Sequence, residues 1–218
     1  MRVLAVPVKS LDRAKRRLAG VLAQPERAAL TVAMLEDVLD ACLAQARWEL
    51  WVISRDEEVL GVARARGARP VAEPGGSLLQ AVHQLESMVP GRTSRLAVLL
   101  ADLPFLTAGA LAGALARQAA VVAAPAGSDG GTNLLVRTPP TSIDARFGRS
   151  SYPKHRAAAY REGVTFQEVR SPELAFDLDR PQDLVKVVAA PPLPPGSGGR
   201  TRSVCLEMGL PERLRVGA

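Results

Sequence analysis

Leu96-Ala97-Val98-Leu99-Leu100-Ala101, followed at once by Asp102-Leu103-Pro104, is the stretch on which the reading of this chain turns. An apolar run without polar alternation predicts a strand buried on both faces, the habit of parallel sheets covered by helices. Outward from it the same pattern recurs. Residues 3–8 form another short apolar run, and further strands are expected at 48–54, 68–72, 120–124, 132–137, 164–169 and 174–178. Between them the spacing predicts helices. Pro25 suits the first position of one reaching to about residue 44, on which Leu30, Met34, Val38 and Cys42 recur every four residues as one core-facing stripe. Others are expected at 56–66, 78–88, 107–118 (capped by Thr107), 151–162 and 181–189. Parallel strands need crossover connections, so this alternation predicts an α/β fold, a mostly parallel mixed sheet with helices on both faces.

The chain has 218 residues, 47% hydrophobic and 23% charged, the balance of a globular protein with one domain and an appendage. Residues 1–189 read as that domain. Residues 190–218 begin Pro-Pro-Leu-Pro-Pro-Gly-Ser-Gly-Gly from 191 and read as a linker and a flexible tail, with one weak turn at most near 204–208. Two cysteines exclude a disulfide scaffold and a Cys-rich zinc site and fit a reducing cytoplasm. No run approaches the ~20 apolar residues of a membrane span, and the N-terminus does not resemble a secretory signal. A homodimer is the common state for enzymes of this size.

Charge is uneven. The 28 Lys and Arg against 22 Asp and Glu give +6, yet residues 1–27 alone hold seven basic residues against Asp12 and Glu26. Aromatic residues, at 4%, are too few for the stacking platforms of single-strand or RNA binders. A compact polyanion such as a nucleoside triphosphate, or simply a solvated basic face, accounts for the basic stretch as well as nucleic acid does.

Ligands of open parallel sheets bind beyond the carboxyl ends of the strands. Asp102 sits at such an end, where it either stabilises the following turn or meets a cation or ligand. In Phe176-Asp177-Leu178-Asp179 the two carboxylates, two apart on an expected strand, share a face. Either a divalent cation relieves their repulsion, or Asp179 caps the helix at Pro181 while Asp177 faces water. Three carboxylates with few His or Cys nearby suit a hard, oxygen-seeking ion, magnesium rather than zinc. Glu73-Pro74-Gly75-Gly76-Ser77 and Asp129-Gly130-Gly131-Thr132-Asn133 are either plain turns or places of close backbone approach to a ligand. Phe147-Gly148-Arg149-Ser150-Ser151 precedes a helix whose first amides and hydroxyls could hold a phosphate. Neither a G-x-x-x-x-G-K loop nor a G-x-G-x-x-G fingerprint is present, which disfavours P-loop enzymes and ordinary dehydrogenases. His83 reads as a surface or packing residue. His155 reads as a helix-surface residue or an aid to anion binding. With neither cysteine placed as a nucleophile, the reaction should need none. Transfer of a nucleotidyl group to a phosphate monoester qualifies, because that acceptor is largely dianionic at neutral pH.

Val6-Pro7-Val8-Lys9, Ala14-Lys15-Arg16-Arg17-Leu18, Ala101-Asp102-Leu103-Pro104, Asp129-Gly130-Gly131-Thr132-Asn133, Phe147-Gly148 with Ser151 and His155, and Phe176-Asp177-Leu178-Asp179-x-Pro181-x-Asp183-Leu184 occur in this order. Together they resemble the guanylyltransferases of coenzyme F420 biosynthesis, within the Rossmann-like nucleotidyltransferases. The resemblance spans about residues 3–188. It implies that Asp102, Asp177 and Asp179 hold two magnesium ions, and that Thr132, Gly148 and Ser151 bind a small phosphorylated carboxylic acid. It further implies that Lys9, Arg13 and Lys15 clamp the triphosphate of GTP, and that guanine lies near Gly75 and Gly76. The expected reaction joins GTP to phosphoenolpyruvate, giving enolpyruvoyl-2-diphospho-5'-guanosine and diphosphate, in the cytoplasm and without nucleic acid or membrane. An Ala- and Arg-rich composition suggests a GC-rich bacterium, for which the resemblance favours that acceptor; 2-phospho-L-lactate and 3-phosphoglycerate are the alternatives. Other rivals are transfer to a sugar phosphate or molybdopterin, and a basic nucleic-acid-binding module. The chain departs from the family at Ser150, where a second glycine is usual, and at Glu73 and Ser77-Leu78-Leu79-Gln80, where the family shows Asp and a Leu-Asn pair.

Overall fold

The computed structural model describes residues 1–191 and 199–216. Seven strands form one sheet: β1 (Arg2–Pro7), β2 (Glu49–Ser54), β3 (Arg69–Ala72), β4 (Arg95–Leu99), β5 (Val121–Pro125), β6 (Thr132–Arg137) and β7 (Phe166–Glu168). Their spatial order is β3-β2-β1-β4-β6-β5-β7. Only β6 runs against the others, pairing antiparallel with β4 and β5. The mixed, mostly parallel sheet is therefore as expected.

Burial on both faces explains the apolar runs. Along β1, Leu4 and Val6 enter one core while Val3 and Ala5 enter the other, and all four are fully buried. Helices α1 (Gln24–Leu43), α2 (Glu57–Ala65) and α4 (Ala108–Leu115) cover the first face, and α3 (Leu78–Met88) and α5 (Ser151–Arg161) the second. Asp56, Ser77 and Thr107 cap α2, α3 and α4 by accepting from backbone N–H groups one turn in. The four-residue stripe of α1 is buried throughout, but it serves two cores. Val38 and Cys42 pack on the sheet, whereas Leu30 and Met34 join a third cluster with Leu18 and Leu22.

Two expectations are overturned. Residues 174–178 are not a strand. Ser171 caps and Pro172 opens a single turn, α6 (Pro172–Ala175), and the chain then runs extended outside the ladder. A Ser-Pro pair is a helix start, and it prevails over the apolar residues that follow. Nor is the tail loose where it is described. After α7 (Pro181–Ala189), α8 (Arg200–Glu207) and α9 (Leu210–Val216) bury Cys205 and Leu210 in the third cluster beside Leu184 and Val187. A carboxylate on α1, Asp37, supplies the reason by binding the first amides of α8. The Pro/Gly-rich linker between them lies mostly outside the described residues.

Candidate active site

β1 is flanked by β2 on one side and β4 on the other, so the chain reverses its direction of sheet growth between β1 and β4. That reversal leaves a crevice at the strands' carboxyl ends, and the cavity there is about 490 Å³. Its walls are the Pro7–Lys9 exit of β1, the basic loop, the Leu100–Asp102 exit of β4, the start of β6, the segment before α5, and Asp177 with Asp179.

Buried apolar anchors shape the basic loop. Leu11, Ala14, Leu18 and Leu22 point inward, Leu11 N–H donates to Asp56 at 2.8 Å, and the Arg27 side chain donates to the Leu22 carbonyl at 2.8 Å. Lys15, between anchors, takes a left-handed conformation (φ 48°). Its side chain is consequently 8% exposed, against 69% for Arg13 and 62% for Arg17. Lys15 Nζ donates to Asp102 Oδ2 at 2.7 Å and lies 4.0 Å from Asp179 Oδ1. Arg17 donates to the other Asp179 oxygen. The resemblance gave Arg17 no role, although its place in the quoted motif was the available signal.

Asp102 is held by its own backbone, since its carbonyl accepts from Leu178 N–H at 3.0 Å. Asn133 and Gly127 pin the neighbouring turn, donating to the Leu174 carbonyl at 2.9 Å and the Ala175 carbonyl at 2.8 Å. That brings Ser128 within 3.0 and 3.2 Å of the two Asp177 oxygens. Burial, and next the charge of Asp102, raise the Asp177 carboxyl above its ordinary range. Asp102 Oδ1 is buried and, among the described residues, has no hydrogen-bond partner. The three expected carboxylates thus share one cavity. They do not make a ready cage: among the described residues no three acidic, His or Cys side chains enclose a cation site, and Lys15 and Arg17 sit on two of the acids. Asp179 is not a helix cap either, because Asp183 accepts from the amides of Asp179 and Arg180.

Across the cavity stand Thr132, Gly131, Gly148, Arg149 and Ser151. A Cβ at Gly131 would lie 2.6 Å from Asp129 Oδ1, which accepts from the Gly131 amide, so a larger residue there would have to displace that carboxylate. Gly148 has φ +122°, open to glycine and strained for other residues. The amides heading α5 are not free for an anion, contrary to expectation. Ser151 N–H donates to the Gly148 carbonyl and Tyr152 N–H to the Gly130 carbonyl, both at 3.1 Å, and Pro153 has no N–H. The hydroxyls remain. Ser151 Oγ is 3.0 Å from Thr132 Oγ1, which is 3.0 Å from Nδ1 of a fully buried His155. His155 is therefore a core residue, not a helix-surface one.

Lys9 and Arg13 line the cavity as expected, but Gly75 and Gly76 do not. Gly75 packs against Arg55, and Gly76 against Gln80 of the α3 cap, so only Leu78 of that segment reaches the wall. Both cysteines are buried, and burial raises their thiols, that of Cys205 to about 11. No thiolate nucleophile is available from them.

The family model described as "Guanylyl transferase CofC like" matches residues 1–203, ending inside α8. The chain belongs to the CofC-like guanylyl transferase family. Among relatives of this family, the phosphoenolpyruvate guanylyltransferase of Sphaerobacter thermophilus is 36% identical over 197 residues, 88% of this chain and 94% of that one. The 3-phospho-D-glycerate guanylyltransferase of Phenylobacterium zucineum is 36% identical, covering 89% and 91%. The 2-phospho-L-lactate guanylyltransferase of Haloarcula marismortui is 38% identical, covering 85% and 84%. A solved structure from Desulfovibrio desulfuricans G20, described as a nucleotide-diphospho-sugar transferase, superposes with a TM-score of 0.80 at 17% identity over 99% of this chain and 98% of that one, a likeness of fold. As a CofC-like chain the protein is a nucleotidyltransferase with a Rossmann-like fold, and no helix among its described residues is long and apolar enough to cross a membrane.

Proposed function

We propose that the protein transfers the guanylyl group of GTP to phosphoenolpyruvate, forming enolpyruvoyl-2-diphospho-5'-guanosine and diphosphate, as a cytoplasmic step toward coenzyme F420. The carrying observation is the two-sided cavity: cations and carboxylates on one wall, and on the other the buried residues Thr132 and Ser151, whose hydroxyls are paired. An oxygen of the acceptor's phosphate attacks the α-phosphorus of GTP. The bond from that phosphorus to the bridging oxygen breaks, and its electron pair leaves with diphosphate. The acceptor is already an anion, so no base need remove a proton from it. Lys9, Arg13 and Lys15 offset the charge of the triphosphate and of the leaving diphosphate, with Arg17 beside them. Thr132 and Ser151 orient the small acid.

Two magnesium ions belong to this reading. The site fits them in its chemistry: all donors are oxygens, Asp102 Oδ1 is bare, and Asp177 is crowded by the charge of Asp102. Asp102, Asp177 and Asp179 would hold the ions. Once bound, they supply charge neutralisation between two anionic reactants. Lys15 and Arg17, which occupy two of these acids, would then be released toward the phosphates.

Diphosphate release, measured with each nucleotide, each phospho-acid and magnesium, tests the reading. GTP with phosphoenolpyruvate should give the highest kcat/KM. A preference for 3-phosphoglycerate or 2-phospho-L-lactate would change the acceptor, and no release with any phospho-acid would overturn the proposal. Because diphosphate is the product followed, an unstable guanylylated product does not obscure the result.

A further inference from the structure

On the cavity wall formed by Thr132 and Ser151, the protons of three side chains are arranged in series. His155 follows Ser151 by one helical turn, so both side chains leave the same face of α5 toward Thr132 on β6. Its Nε2 lies 2.9 Å from the backbone nitrogen of Arg146. A backbone N–H can only donate, so Nε2 carries no proton. A neutral imidazole then carries its proton on Nδ1, which donates to Thr132 Oγ1. Ser151 and Thr132 share one O–H between them. Among the described residues no protein acceptor takes the other, and both residues line the cavity.

We propose that His155 is a positioning residue: by donating from Nδ1 to Thr132 it commits the Thr132–Ser151 pair to present a hydroxyl donor to the cavity, and so to receive an anionic oxygen of the phospho-acid. The inference rests on the acceptor reading given above. It explains why hydroxyls take on anion recognition where the amides of α5 are already bound. The ring is held neutral by burial and by the charges of Arg137, Arg146 and Lys154, which lower its pKa to about 4. It is held in orientation by the ring of Phe147, edge-on at 5.4 Å between centroids. Protonation would place two donors, Nε2–H and Arg146 N–H, against each other.

Two isosteric replacements separate the halves of the arrangement. His155→Asn places an amide nitrogen where Nδ1 stood and nothing at Nε2. His155→Gln reaches the Nε2 position with an oxygen and leaves nothing at Nδ1. With the full chain, His155→Gln should raise the KM for the phospho-acid about tenfold, as loss of a bond to a charged oxygen does. The KM for GTP should not change, and His155→Asn should stay within about threefold of wild type. A purely structural histidine would instead move the acid KM alike in both variants, or more in His155→Asn, and that result overturns the proposal. A two-bond proton–nitrogen NMR spectrum of the free protein gives a second, activity-independent reading. It has only two histidines to resolve, and His155 should appear as the Nδ1–H tautomer. An Nε2–H tautomer would overturn the inference. If the wild-type enzyme turned over no phospho-acid, the acceptor reading would fall, while the spectrum would still decide the tautomer.

Discussion

Asp37 and Asp102 are the same side chain used in opposite ways. Asp37, on α1, is 2% exposed and accepts from Gly199 N–H and Arg200 N–H at 3.1 Å, and from Thr201 N–H and Oγ1 at 2.9 and 2.7 Å. It caps α8 from 162 residues away, where the amides of a helix start would otherwise lack partners. Asp102 accepts from Lys15 with one oxygen and leaves the other buried in a cavity wall, with no partner among the described residues. A carboxylate with every lone pair engaged stabilises the fold. One left unsatisfied is costly and is retained where a ligand completes it. His155 stands between the two cases, since its bonds are complete on the protein side and pass a single donor forward.

The difference can be broken first at Asp102. Asp102→Asn should lower kcat for diphosphate release about 10³-fold, the scale of losing a preorganised electrostatic group, with little change in Tm. Asp37→Asn should do the reverse. Removing one partner of a buried charged network costs about 3–5 kcal/mol, so Tm should fall by roughly 10 °C while kcat per folded molecule is unchanged. An activity loss in Asp37→Asn beyond the unfolded fraction would erase the distinction.

His155 sharpens it through pH. Above the unfolded value of 6.5, neither state binds the proton and the stability is complete. As pH falls from there toward about 4, the unfolded chain takes up a proton that the folded ring refuses, and stability is lost. Urea unfolding should register about 2 kcal/mol less stability from this group at pH 5 than at pH 7, and His155→Asn should remove that increment. The smallest effect is expected at Arg17, whose ion pair with Asp179 is largely exposed. Arg17→Gln should change stability by under about 1 kcal/mol and raise the KM for GTP a few-fold, as titration against GTP would reveal.

The sheet could be read from the chain because doubly buried strands have to be apolar runs, as Leu96–Leu99 shows. Asp102 could be read for the complementary reason, a charge placed where such a run ends. What escaped depends on contacts made across the chain. Asp37 looks like one polar interruption of an apolar helix, and nothing local shows that α8 needs it. The left-handed turn at Lys15, which turns one cation inward among outward-facing arginines, is set by the anchors Leu11 and Leu18. Gly75 and Gly76 adjoin Arg55 and Gln80 of the α3 cap, contacts that a Gly-Gly pair does not announce. The α5 amides looked free until the carbonyls of Gly130 and Gly148 claimed them.

Anomalous diffraction from crystals soaked with manganese, GTP and phosphoenolpyruvate decides whether Asp102 is a metal ligand. Manganese should lie in direct contact with Asp102 Oδ1, with Lys15 displaced from that carboxylate and no metal at Asp37. Manganese held by the nucleotide alone, with Lys15 still on Asp102 and Oδ1 still bare, would contradict that role.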